Sequence, residues 1–263
     1  MDKKSNFSQI VITIGLILAG LYVGFILPDR KPKSADKVAE KQEQTTQETA
    51  KAPTVDIETV KKGFSDALIK FGDTSKKVIF LEISDPSCPY CQIAGGYNNE
   101  LNNSAGDRFK MVEDGGTYVA PGKEMKKLVD SGDAAFAMIY RNGHGAGEVA
   151  MKALYCAFKE GKFWEAKALL FSSKGYSLIN DTVKNDMTKT GLMADFLASA
   201  VNAKTMKSCL DSNEYKDQLN KDTSISTTLG VGGTPGFFVN ETMYSGAYSF
   251  TDMKPVVDSA LQK

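Results

Sequence analysis

The sequence has little histidine and little tryptophan: one of each in 263 residues. A single His excludes His-rich metal sites, and any Ser-His-Asp or Cys-His catalytic set would depend on His144. A surplus of either charge is also missing. With 32 Lys and Arg against 32 Asp and Glu, the chain lacks the basic excess of a general nucleic-acid binder. Cysteine is scarce, at four, but an even number points to pairing, and the compartment decides whether pairing occurs. A hydrophobic share of 42% excludes a wholly disordered protein, and the length suffices for one or two domains with a buried core.

Charge is absent altogether from Phe7 to Leu27, an uncharged run of 21 residues. At 1.5 Å per residue a helix of about 20 residues crosses the hydrocarbon core of a bilayer, whereas a buried core helix of that length would carry a polar face. The run predicts a membrane anchor after a short tail, residues 1–6. It is long for a cleaved signal, and no A-x-A site follows it, so a retained anchor is expected. Flanking charges do not orient it, since Lys3 and Lys4 precede the run and Arg30, Lys31 and Lys33 follow it. Residues 28–54 hold 6 Lys or Arg, 5 Asp or Glu and no aromatic residue. Such a stretch buries too little surface to offset its ordering entropy and reads as a flexible tether. The folded domain is expected over 55–263.

Within that domain, apolar residues at helical spacing predict a helix from about Val55 to Phe71, stopped by Gly72-Asp73. Lys77–Ile83 and Ala134–Tyr140 read as buried strands. A helix is expected from Pro89 to about Leu101, a hairpin around Gly115-Gly116, and a short helix over Pro121–Val129. Residues 147–230 read as mainly helical. Thr234–Asn240 is a turn into a strand, Glu241–Ser249 a hairpin return, and Thr251–Lys263 a final amphipathic helix. This order suits one α/β domain with a mixed sheet and a helical insertion.

Cys88-Pro89-Tyr90-Cys91 follows the first buried strand, with Pro89 where a helix N1 proline belongs. As half of a zinc site it needs two more soft ligands at similar spacing, and Cys156 and Cys209 stand singly, 53 residues apart. As a redox dithiol on the first turn of a helix, it brings both sulfurs together. Cys88, at the helix N-terminus, faces free N–H groups and the positive end of the dipole, so it is the expected nucleophile, exposed and of lowered pKa. Cys91, one turn on, is the expected resolving thiol. Glu82, six residues before Cys88, is either a buried acceptor for the Cys91 proton or a surface residue at a strand end. Thr234-Pro235 is either an ordinary loop or a tight turn with a cis bond that leaves backbone groups free to pair with an extended peptide.

In combination, Ser84–Cys91, Gly161-Lys162-Phe163-Trp164 and Val231–Asn240 resemble the DsbA-like thiol–disulfide oxidoreductases of the thioredoxin superfamily, over roughly Val78 to Leu261. The resemblance implies a thioredoxin-like fold with a helical domain inserted at about 145–230. It implies an attacking thiol at Cys88, a resolving thiol at Cys91, the intervening Pro89 and Tyr90 as site residues, and a buried acid at Glu82. It also implies a cis-proline loop at Thr234-Pro235 that binds substrate. The dipeptide is Pro-Tyr, not the Pro-His of the strongly oxidising members, so a histidine that stabilises the thiolate is missing. Residues 102–133 are longer than the usual connection.

Cys156 and Cys209 fall on helices of the insert. They read as two buried free thiols or as a structural disulfide, and an oxidising compartment favours the bridge. His144 reads as a loop residue and Trp164 as helix core. Met111, Met125, Met138 and Met151 are too scattered for a copper-binding stripe. The expected function is a membrane-tethered, extracytoplasmic enzyme that introduces disulfides into exported proteins, without cofactor or metal. As the resemblance implies, a membrane redox partner would recycle the Cys88–Cys91 pair. The alternatives are an isomerase or reductase of the same fold, and a tethered Cu(I) chaperone holding the metal on Cys88 and Cys91.

Overall fold

The computed structural model describes residues 53–263. The expected anchor at 7–27 and nearly all of the tether lie outside the described residues. Among the described residues no helix is long and apolar enough to cross a membrane. The first described residues already contact the domain: Thr54 bridges Thr242, and the Pro53 carbonyl accepts from the Met243 N–H.

Helix α1 (Ile57–Asp66) is capped by Asp56, whose side chain accepts from the Thr59 N–H. Val60 and Phe64, one turn apart, are its buried stripe. The helix expected to reach Phe71 ends at Ala67, which turns extended. Ile69–Phe71 form an edge strand, β1, because Ile69 and Phe71 alternate across Lys70 and pair with the antiparallel strand β3 (Ala134–Tyr140). Strand β2 (Val78–Ser84) runs parallel to β3 and is buried on both faces, which is why it reads as a continuous apolar run. Strands β4 (Gly236–Val239) and β5 (Thr242–Ser245) complete the mixed sheet in the order β1-β3-β2-β4-β5.

Helix α2 (Pro89–Gly95) follows β2 and stops at Gly96, whose left-handed backbone (φ 76°) ends it early. The single helix expected to Leu101 is therefore two, with α3 (Asn99–Ser104) capped by Asn98. The expected hairpin around Gly115 is also absent. Two 3-10 turns, Asp107–Phe109 and Val112–Asp114, lead to one bridge between Met111 and Tyr118. Polar and acidic residues alternate too irregularly there to cover two strands. Helix α4 (Pro121–Asp130) then precedes β3.

Between β3 and β4 lie α5 (Glu148–Lys159), α6 (Phe163–Leu170), α7 (Ser173–Ser177), α8 (Thr190–Phe196), α9 (Ala203–Ser212) and α10 (Lys216–Thr228). Helix α11 (Phe250–Leu261) closes the chain with a capping box of Ser249 and Asp252. Alternate residues of the central strands divide the core. Val78 and Phe80 face a large cluster with α5, α6 and α11, while Ile79, Leu81 and Ile83 face α1 and α10. Cys88 and Cys91 belong to the first cluster, so the pair sits where the sheet meets the inserted helices.

Candidate active site

The turn after β2 is fixed by one fully buried carboxylate. Asp85 accepts hydrogen bonds from the Ser87 N–H and Oγ (2.8 and 2.7 Å) and from the N–H groups of Gly143 and His144 (2.9 and 2.8 Å). It thereby ties the approach to Cys88 to the loop after β3. A Cβ at Gly147 would collide with Asp85 Oδ1, so that loop needs glycine to come close enough. His144 contributes its backbone, and its side chain is exposed.

Cys88 stands at the N-cap of α2 and Pro89 at its first position. Contrary to the sequence-based expectation, Cys88 is not exposed: 5% of its surface is accessible, because the Thr234 loop lies over it. Its sulfur donates to the Thr234 carbonyl at 3.4 Å. Cys91, the Thr234 side chain and the N–H groups of Cys91 and Tyr90 favour the thiolate and outweigh burial, bringing Cys88 down to about 6. Cys91 is completely buried, and burial together with Cys88 pushes its thiol well above the ordinary value. The Asp85 N–H, which donates to Cys91 Sγ at 3.4 Å, and the Ser84 hydroxyl oppose that rise. Both thiols are free.

The Thr234-Pro235 bond is cis, and the Pro235 carbonyl accepts from the Gly246 N–H at 2.8 Å. Tyr90 is half exposed beside Cys88 and packs on Phe109, ring centres 5.8 Å apart. The long 102–133 connection thus delivers an aromatic wall next to the dithiol. Its signal in the sequence was the set Phe109, Met111 and Tyr118 in an otherwise polar stretch, which pack in one buried cluster.

Glu82 is buried on β2, on the face that carries the dithiol, and accepts from Lys167 Nζ at 2.5 Å. Lys167 comes from α6 of the insert and is itself 1% exposed. Its ammonium lies 5.2 to 5.9 Å from the ring centres of Phe136, Phe163, Trp164 and Phe171. Sequence reasoning missed this partner, although Lys167 sits in the apolar stripe with Phe163, Ala166 and Leu170, where a surface lysine does not belong. Trp164 packs against Phe71, Phe136 and Phe163. Away from this site, Cys156 on α5 and Cys209 on α9 are joined by a disulfide, Cα atoms 6.1 Å apart. Among the described residues no three His, Cys, Asp or Glu side chains converge to hold a metal ion.

A family model described as thioredoxin matches residues 119–259, more than half of the chain, beginning after the dithiol. The chain is 24% identical over 196 residues to Disulfide bond formation protein D of Bacillus subtilis (strain 168), covering 73% of this chain and 76% of that one. The fold is similar to oxidised BdbD from Bacillus subtilis, with a TM-score of 0.55, 20% identity, and coverage of 81% of this chain and 98% of that one. It is also similar to alpha-DsbA1 of Wolbachia pipientis, with a TM-score of 0.54, 18% identity, and coverage of 73% and 90%. The chain belongs to the thioredoxin family, among its DsbA-like thiol–disulfide oxidoreductases.

Proposed function

We propose that the chain introduces disulfides into exported proteins from the outer face of a membrane, to which residues 7–27 anchor it. The observation that carries this reading is the inequality of the two sulfurs. Cys88 is held as a thiolate near neutral pH, while Cys91 is buried as a thiol. A stabilised thiolate favours the reduced form, so the Cys88–Cys91 disulfide gives up its oxidising equivalents readily. That favours the oxidising direction over reduction or isomerisation.

In this direction a substrate thiolate attacks Cys88 Sγ. The Cys88–Cys91 bond breaks, and its electron pair leaves on Cys91. A second substrate thiolate then attacks the substrate sulfur of the mixed disulfide, closing the substrate disulfide and expelling Cys88 as thiolate. The dithiol has gained two electrons, which a membrane redox partner must remove. Without the Pro-His histidine, the thiolate relies on Cys91, the Thr234 loop and the helix N–H groups. The cis turn at Thr234-Pro235 offers backbone groups to an extended substrate segment. An extracytoplasmic site is supported by the uncharged run and by the Cys156–Cys209 bridge, which persists in oxidising compartments. Similarity to Disulfide bond formation protein D agrees with this assignment.

The test uses the full chain in detergent with a reduced, unfolded protein as substrate. Wild type should regenerate native disulfides, Cys88→Ser should not, and Cys91→Ser should accumulate mixed disulfides through Cys88. Turnover retained in Cys88→Ser refutes the assignment.

A further inference from the structure

We propose that the Ser84 hydroxyl stabilises the Cys91 thiolate whenever that thiolate forms, an inference that rests on the dithiol chemistry above. Cys91 becomes anionic twice in the cycle: as the leaving group when substrate attacks Cys88, and as the nucleophile when it resolves a mixed disulfide. Its sulfur is fully buried, so water cannot solvate the charge. One fixed donor is present, the Asp85 N–H at 3.4 Å. A second is needed, and two side chains are placed to be considered.

Glu82 is committed elsewhere. Its carboxylate pairs with Lys167, and both are at most 2% exposed. Moving the Cys91 proton onto Glu82 would leave the Lys167 cation unpaired among four aromatic rings, a costly state in a buried site. Ser84 is free. It lies two residues beyond Glu82, so its side chain projects from the same face of β2 toward the cluster that holds Cys91. It is fully buried, and its Oγ has no hydrogen-bond partner among the described residues. It directly precedes Asp85, whose N–H already meets the sulfur. A hydroxyl can turn. Turned toward Cys91, it donates to the thiolate when that thiolate forms, without itself ionising. Ser84 thus supplies a hydrogen bond that strengthens as charge develops, the requirement for lowering the barrier of a step.

The test follows the reduced, full chain reacting with 5,5′-dithiobis(2-nitrobenzoate). In a first phase the Cys88 thiolate attacks the reagent and releases one thionitrobenzoate, leaving the other on Cys88. In the second, Cys91 loses its proton to solvent, attacks Cys88 Sγ and releases the remaining thionitrobenzoate. Two electrons pass from the dithiol to the reagent. Ser84→Ala should leave the first phase unchanged, slow the second about tenfold at pH 7, and raise its pH midpoint by about one unit. Ser84→Thr should restore both. A second phase in Ser84→Ala within twofold of wild type, at an unchanged midpoint, overturns the proposal. So does a Ser84→Thr protein as slow as Ser84→Ala. Where Thr is too large for the site to fold, the midpoint of Ser84→Ala decides alone, because mere loosening would not move it while sparing the first phase. A wild-type chain without a first phase overturns the oxidoreductase reading itself, a distinct result.

Discussion

At the scale of single residues, the chemistry turns on how differently the fold treats two identical side chains three positions apart. Cys88 is drawn down to about 6 and Cys91 is pushed upward. The rate of Cys88 alkylation by iodoacetamide, followed against pH, should therefore have its midpoint near 6, well below the roughly 8.5 of an ordinary thiol. Linkage gives the same fact a thermodynamic form. The folded value lies below the unfolded one, so Cys88 stabilises the reduced protein fully above about pH 8.5, and the gain disappears as pH falls to about 6. Melting temperature of the reduced form, relative to the oxidised, should rise across that window, and a flat difference would contradict the shift. The placement of the pair at the start of a helix was legible in the sequence because its spacing and the strand before it constrain it, and the cis bond before Pro235 followed from the resemblance. The near-complete burial of Cys88 was not, since the loop that covers it arrives 146 residues later.

Among elements, the decisive contacts join the insert to the sheet. Lys167 of α6 meets Glu82 of β2, and Asp222 of α10 accepts from the Tyr140 N–H at the end of β3 and from Tyr155 of α5. Lys167→Met should strand a buried carboxylate and lower stability by about 3–5 kcal/mol in denaturant titration, while Glu82→Leu with Lys167→Met should recover much of the loss. The Cys156–Cys209 bridge ties α5 to α9. Cys156→Ala with Cys209→Ala should cost about 2–4 kcal/mol in the same assay and leave the first phase of reagent reaction intact. Sequence periodicity found β2, β3, α4 and the hairpin of β4 and β5, whose patterns are self-contained. It overran at Phe71 and at Leu101, where Ala67 and Gly96 end helices by backbone conformation and not by loss of an apolar stripe.

For the whole molecule, the sequence separates three regimes of composition, and the described residues correspond to the last. An uncharged run, a polar tether and a globular domain together predict a fractionation result. The full chain should sediment with membranes and require detergent for release, whereas a chain lacking residues 7–27 should be freely soluble and keep both phases of reagent reaction. Recovery of the full chain in the soluble fraction would contradict the anchor. What the sequence could not convey at this scale is which distant segments share the site. Thr234, Gly143, Lys167 and Phe109 come together around residues 82–91 only once the sheet order is known.

The Glu82–Lys167 pair has a bearing on how this architecture can be cut and recombined. An inserted domain is ordinarily thought of as cargo, removable at its two crossing points with the host left whole. Here the guest has left an ammonium inside the host, and the host a carboxylate to receive it. A minimal thioredoxin excised from this chain would carry an orphan anion beneath its own redox centre. The insert transplanted to another scaffold would carry an orphan cation among aromatic rings. Neither half is portable without rewriting the other's sequence.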